Sequence, residues 1–267
     1  MASEPDETGP RTLSTVTMTL DVITALKRLD GATVTEMADH LDCSKGGAYN
    51  HLATLRENDF IVKDDDIYKL SPRFILIGEH TRQDDILYQF GKEELDTLIE
   101  RTGEYGQLAT EEHGLAIVIY LSKGEKAIGS GYPEHMKKKP LYMHHLSAGK
   151  AIMAHLPRER VEEIVDKHGL KQRTENTITD EEDLYTELER VRERGYAYND
   201  EEEVEGLRAV GAPINGPDGD VLGALSLSGP KSRLHGERFN TEIPEMVKET
   251  ADIIGTNIKM EHNTDQF

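Results

Sequence analysis

Lys45, Tyr49 and Asn50 are the residues whose type and spacing first suggest chemistry. An asparagine amide pairs bidentately with adenine, a lysine donates to guanine, and a tyrosine reaches a phosphate or a thymine methyl. All three lie on the outer side of a predicted helix whose inner face carries Ala48, Leu52 and Leu55. Ser44 is the expected N-cap and can add a phosphate contact through the helix N-terminus. Arg56 lies on the same outer side, so the candidate DNA-reading set is Ser44, Lys45, Tyr49, Asn50 and Arg56.

A helix reads bases only when other elements hold it in the major groove. Val16, Leu20, Ile23, Leu26 and Leu29 recur at helical spacing before Asp30-Gly31, which predicts a first amphipathic helix on that face. Val34, Met37, Ala38 and Leu41 predict a short second helix capped by Thr33 or Thr35. After the third helix, Phe60–Lys63 and Ile67–Leu70 are β-prone runs around Asp64-Asp65-Asp66, a hairpin signature. Three helices and a hairpin make a winged helix-turn-helix over residues 15–72; a small protein-interaction module is the other use of such a fold. Residues 1–14 are expected to be a disordered tail, 73–90 a linker helix through Phe74, Ile77 and Ile86, and 91–262 a second domain.

The whole chain has 267 residues, room for two domains, with 31 Lys and Arg against 51 Asp and Glu and a formal charge of -20. Residues 1–80 hold eight Lys and Arg against fourteen Asp and Glu, so even the DNA-reading module is acidic. Dense surface carboxylates suit a salt-rich cytoplasm, where counterion release adds little affinity and base contacts, DNA shape and dimerisation must carry binding. The Asp64-Asp65-Asp66 wing tip is expected to sit off the phosphates. Lys137-Lys138-Lys139 reads as a solvated loop rather than a DNA contact. A single cysteine, Cys43, excludes an intramolecular disulfide, and the chain shows neither a signal peptide nor a run of about 18 apolar residues, so a cytoplasmic protein without membrane contact is expected.

The second domain mixes element types: a helix near Glu93–Arg101, strands near Gln107–Glu111, Leu115–Leu121 and Lys126–Gly129, helices from Ser147, Arg158 and Asp180, then Ala209–Ile214 and Val221–Leu227 joined across Pro217-Asp218-Gly219, and a last helix over Thr241–Met260. That order predicts an α+β domain. Ser147-Ala148-Gly149 opens a helix whose free N–H groups can seat a carboxylate. Ser226 and Ser228 alternate onto one strand face, where they either meet a ligand or simply let a central strand pack closely. No nucleophile elbow surrounds Ser147, Ser226 or Ser228, and Gly149-Lys150-Ala151 does not match a phosphate loop. His144 and His145 on a strand would face opposite ways, and His113, His135 and His155 lack ligand spacing. No catalytic residue, metal or cofactor is expected.

Tyr49-Asn50-His51-Leu52-Ala53-Thr54-Leu55, Ser147-Ala148-Gly149-Lys150-Ala151, residues 206–214 (GLRAVGAPI) and residues 223–230 (GALSLSGP) together resemble the IclR family of regulators, here in an acidic, haloarchaeal form. The resemblance spans about Thr17 to Met260. It implies an N-terminal winged helix-turn-helix, a linker helix that helps dimerise, and a C-terminal GAF/PAS-like effector-binding domain. It also implies a homodimer or homotetramer on a double-stranded DNA operator, and a small-molecule metabolite as effector. The family pocket falls here on Leu141, Ser147, Ala148, Asn199, Leu207, Ala209, Ser226 and Ser228. Departures are Gly46-Gly47 and Asn50 in the recognition helix and Asn199 where an Asp is common. The function expected is regulation of a sugar, possibly pentose, or organic-acid catabolic pathway, with a ligand-free DNA-binding assembly module or a small-molecule enzyme as alternatives.

Overall fold

A computed structural model describes residues 12–127 and 141–264, which divide into two units at Thr81/Arg82. The expected basic run Lys137–Lys139, His135 and residues 1–11 of the expected tail lie outside the described residues.

The first unit holds α1 (Ser14–Leu29), α2 (Val34–His40), α3 (Lys45–Glu57), β1 (Ile61–Asp64), β2 (Ile67–Leu70) and α4 (Arg73–Gln83), the last crossing the division. Thr33 caps α2 through a capping box with Glu36, and Ser44 caps α3 by accepting from the Gly47 N–H at 3.0 Å. Val22, Ala25, Leu26, Met37, Ala38, Ala48, Leu52, Leu55, Ile61 and Tyr68 form its core. Cys43, in the turn between α2 and α3, is half-buried against this core. The α1 stripe differs from the expectation. Leu26 is buried, but Val16, Leu20 and Leu29 are exposed, and Val22 and Ala25 take the core positions. The periodicity picked out a second apolar face, which spacing cannot distinguish from the first. Ala32 bridges Tyr68, adding a short third rung to the β1–β2 wing.

In place of one linker helix over 73–90 there are two: α4, which buries no residue, and α5 (Ile86–Thr102), started by Asp85, whose carboxylate accepts from the Leu87 and Tyr88 N–H groups. The second unit then contains β3 (Tyr105–Glu112), β4 (Leu115–Lys123), a 3₁₀ turn (Met143–His145), α6 (Ser147–Met153), α7 (Arg158–His168), α8 (Glu181–Arg194), β5 (Ala197–Asp200), β6 (Leu207–Asn215), β7 (Val221–Pro230) and α9 (Ile243–Thr264). Lys126 lies in a turn rather than the expected strand over Lys126–Gly129, of which residues 128–129 are not described. His144 and His145 sit on the 3₁₀ turn, not a strand, so their rings neighbour each other at 5.0 Å.

The five strands form one antiparallel sheet in the order β4-β3-β7-β6-β5. Strand alternation gives it two unlike faces. Leu108, Val210, Ala212, Ile214, Leu225 and Leu227 pack against α5 and α9 through Leu95, Ile99, Ile254 and Ile258. Ala109, Ala197 and Ala224 face α6, α7 and α8 through Ala148, Ile152, Val161 and Leu188.

Two glycines let the start of α6 pack closely, Gly211 against this second face and Gly149 against the turn before the helix. A Cβ on Gly149 would lie 2.2 Å from the Met143 carbonyl oxygen, and one on Gly211 would lie 2.6 Å from the Ser147 carbonyl carbon. Gly46 in α3, by contrast, has open space around it. Gly149→Ala is therefore expected to destabilise the protein by about 1 to 3 kcal/mol, as overpacking does. Gly46→Ala is expected to stabilise by up to about 1 kcal/mol through helix propensity. Thermal melts followed by circular dichroism check both signs.

Candidate functional site

On α3 the core residues Ala48, Leu52 and Leu55 point inward, which leaves Lys45, Tyr49, Asn50 and Arg56 exposed, with Ser44 at the cap. Thr19 Oγ1 and His51 Nδ1 are 2.8 Å apart, tying α1 to the flank of α3. The wing tip carries Asp64, Asp65 and Asp66; Lys63 pairs with Asp66 at 3.1 Å, and Asp65 turns the hairpin with φ 52°. The wing tip is thus acidic, while α3 turns Lys45 and Arg56 to solvent.

In the second unit, strand register collects the predicted effector residues into two rows on the α6 face. Asn199 lies opposite Ala209, Ala209 opposite Ser228, and Ser228 opposite Tyr105. Ala197, Gly211, Ser226 and Gln107 form the adjacent row. The backbone of Ser147 sits directly over Gly211, and Ala148 is in the core beneath. Leu207 shares the parity of Ala209 at the end of β6, and Leu141 is buried on the chain leading to α6, its carbonyl accepting from the Ala116 N–H. Seven residues make α6 a short helix, so its terminal field is weak.

Four buried groups were not in the predicted set: Gln107, Lys150 and Glu202 on or beside this face, and His145 on the turn before α6. Gln107 is 8% exposed and its Oε1 has no hydrogen-bond partner; His145 is 1% exposed with neither ring nitrogen partnered. Lys150, projecting from α6, meets the Glu202 carboxylate at 2.5 and 2.6 Å. Glu202 in turn donates its N–H to Asn199 Oδ1 at 2.9 Å, and its carbonyl accepts from Thr177 at 2.6 Å. The β5–β6 loop is thereby pinned to the face. The alternation Tyr105-x-Gln107-x-Ala109 could have flagged Gln107, but the Lys150–Glu202 contact joins residues 52 apart with no spacing signal.

The electrostatics follow from burial. Burial pushes the Glu202 carboxyl above its usual range against the pull of Lys150. It also lowers His144, which hydrogen-bonds the Lys171 carbonyl at 3.1 Å. Burial, helped by His144, Arg173 and Lys150, holds His145 at about 3. Among the described residues, no three His, Cys, Asp or Glu are grouped to hold a metal, and no helix is long and apolar enough to cross a membrane.

The model of the C-terminal part of bacterial IclR transcriptional regulators matches residues 81–256, and a helix-turn-helix domain model matches residues 18–64. The chain belongs to the IclR family. It is a transcriptional regulator with a DNA-binding helix-turn-helix and a C-terminal domain of the IclR type. The probable HTH-type transcriptional regulator ArcR of Halobacterium salinarum is 36% identical over 251 residues, 94% of this chain and 95% of that protein. The IclR transcriptional regulator of Alicyclobacillus acidocaldarius superposes with a TM-score of 0.78 at 25% identity, over 92% of this chain and 99% of its own. An IclR homolog from Microbacterium hydrocarbonoxydans, solved with 4-hydroxybenzoate, shares the fold at a TM-score of 0.76 and 20% identity, over 92% and 98% of the two chains. These IclR relatives are regulators, not enzymes.

Two variants test the buried charges. Lys150→Met leaves the Glu202 carboxylate uncompensated and is expected to cost about 3 to 5 kcal/mol, most of it recovered in the double variant Lys150→Met/Glu202→Leu; denaturant melts read both. For His145 the folded ring stays neutral while the unfolded chain protonates below about pH 6.5. Stability therefore falls by about 1.4 kcal/mol per pH unit from there toward pH 3 on account of this ring. His145→Leu is expected to flatten the acid limb of the melting-temperature profile between about pH 6 and 4 by that slope.

Proposed function

We propose that this regulator senses a small metabolite and controls a catabolic pathway, for a sugar or an organic acid, by changing its hold on an operator. The observation that carries the reading is the gathering of Asn199, Ala209, Ser226 and Ser228 on one buried sheet face under the start of α6. Such a polar patch within an apolar layer is the composition of a ligand site. The 4-hydroxybenzoate held by the Microbacterium hydrocarbonoxydans relative supports the assignment of a small organic ligand to this fold.

On the DNA side, Asn50, Lys45 and Tyr49 read base edges while Ser44 and Arg56 position the helix. The functional species is a homodimer or homotetramer. Supporting this, α4 buries no residue and exposes Ile75, Leu76 and Ile77, and α1 exposes Val16 and Leu20 beside Leu13 at its N-cap. The effector acts by binding one arrangement of the paired winged helices better than another.

Operator binding by the full chain tests the scheme. Binding is expected to persist at molar KCl, and Asn50→Ala is expected to weaken it by roughly 5- to 150-fold, the value of one bidentate base contact. Unchanged affinity in that variant removes α3 from base reading. A metabolite that raises the melting temperature of the parent protein and not of Ser228→Ala, and that shifts operator affinity, establishes the sensing half.

A further inference from the structure

Gln107 and His145 are both more than nine-tenths buried, and both leave polar atoms without partners. Gln107 stands directly opposite Ser226 on the α6 face, one row from the Ser228–Tyr105 pair. His145 lies two residues before Ser147, whose backbone covers Gly211 in the same row as Ser226 and Gln107. Leaving a buried acceptor unpaired costs about as much as a lost hydrogen bond, so a fold keeps such groups where something else meets them.

The chemistry of that something follows from what is already taken. Asn199 spends its Oδ1 on the Glu202 N–H and so keeps only its amide donors. Lys150 is matched by Glu202, and Arg208 by Asp200 through contacts of 2.6 and 3.1 Å. Gln107 Oε1 accepts only. A neutral imidazole offers one donor and one acceptor, and each serine hydroxyl offers both. A carboxylate, which accepts only, satisfies neither Gln107 Oε1 nor the imidazole acceptor. An apolar ring satisfies none of them. Hydroxyl groups, each both donor and acceptor, satisfy all.

We propose that Gln107 is an effector-contacting residue and that the effector is polyhydroxylated, a sugar or a sugar acid whose hydroxyls donate to Gln107 Oε1 and exchange hydrogen bonds with Ser226 and Ser228. The proposal rests on the reading of this face as the effector site. Gln107 selects against ligands of the same length that lack hydroxyls, because binding those seals the unpaired acceptor away from water for nothing.

The test is thermal melting of the full chain with three probe sets: the neutral sugars xylose and glucose, the acids xylonate and gluconate, and valerate, hexanoate and benzoate as unhydroxylated acids. At least one sugar or sugar acid is expected to raise the melting temperature, and the first two sets decide which. The unhydroxylated acids are expected to leave it unchanged. Gln107→Met is expected to weaken the active probe about tenfold or more without lowering the melting temperature of the free protein. Gln107→Glu, which keeps acceptor oxygens, is expected to retain a neutral sugar. Equal binding of the unhydroxylated acids, unchanged affinity in Gln107→Met, or no response to any sugar or sugar acid overturns the proposal. If benzoate, valerate or hexanoate binds and Ser228→Ala abolishes it, the hydroxyl reading falls while the effector site stands; if a bound probe is indifferent to both Ser228→Ala and Gln107→Met, the site itself falls.

Discussion

Everything distinctive about the second unit depends on α6 lying on β6 with backbone against backbone. Gly211 removes the side chain that would stand between them, and Gly149 removes the one that would collide with the incoming Met143 carbonyl. The helix is so close that its own Lys150 has no route to water and must find a carboxylate inside. Glu202 supplies it, and the bonds from Glu202 to Asn199 and Thr177 carry the constraint on to the β5 end and the loop beyond. One steric allowance thus determines where a charge is buried, which loop is held, and which strand residues lie beneath the helix start.

The DNA-reading unit works under a different constraint, its own negative charge. With an acidic wing and few cations, long-range attraction to phosphate is weak, and the proposed reading by α3 rests on short-range fit. That places unusual demands on the rigidity of α3. The packing of Ala48, Leu52 and Leu55, the Ser44 cap and the Thr19–His51 hydrogen bond answer them.

Local patterns in the sequence made much of this legible. Caps, the wing hairpin and the β6–β7 hairpin rest on residues near one another in the chain, and α2, α3, β1, β2 and the late hairpin fall where spacing places them. The face of α1 was not legible, because the helix carries two apolar stripes and only packing chooses between them. Strand β5 has four residues, too few for a period to show, and the break between α4 and α5 turns on the single cap at Asp85. For the candidate site, the serine alternation was visible in β7. The alternation around Gln107 marks its face of β3, but its place beside Ser226 is a register fact between strands more than a hundred residues apart.

The unlike faces of the sheet carry a further consequence, for how such a protein changes over generations. The α5 and α9 face is built from large aliphatic side chains, each of which costs several kcal/mol to truncate, so its sequence has little freedom. The opposite face sets Ser226, Ser228, Asn199 and Gln107 beside alanines, where exchanging one polar group for another forfeits little apolar burial. Those polar positions can change while the other face keeps the sheet folded. A single strand such as β7 therefore carries Leu225 and Leu227 under tight packing demands on one face and Ser226 and Ser228 under looser ones on the other, residue by residue.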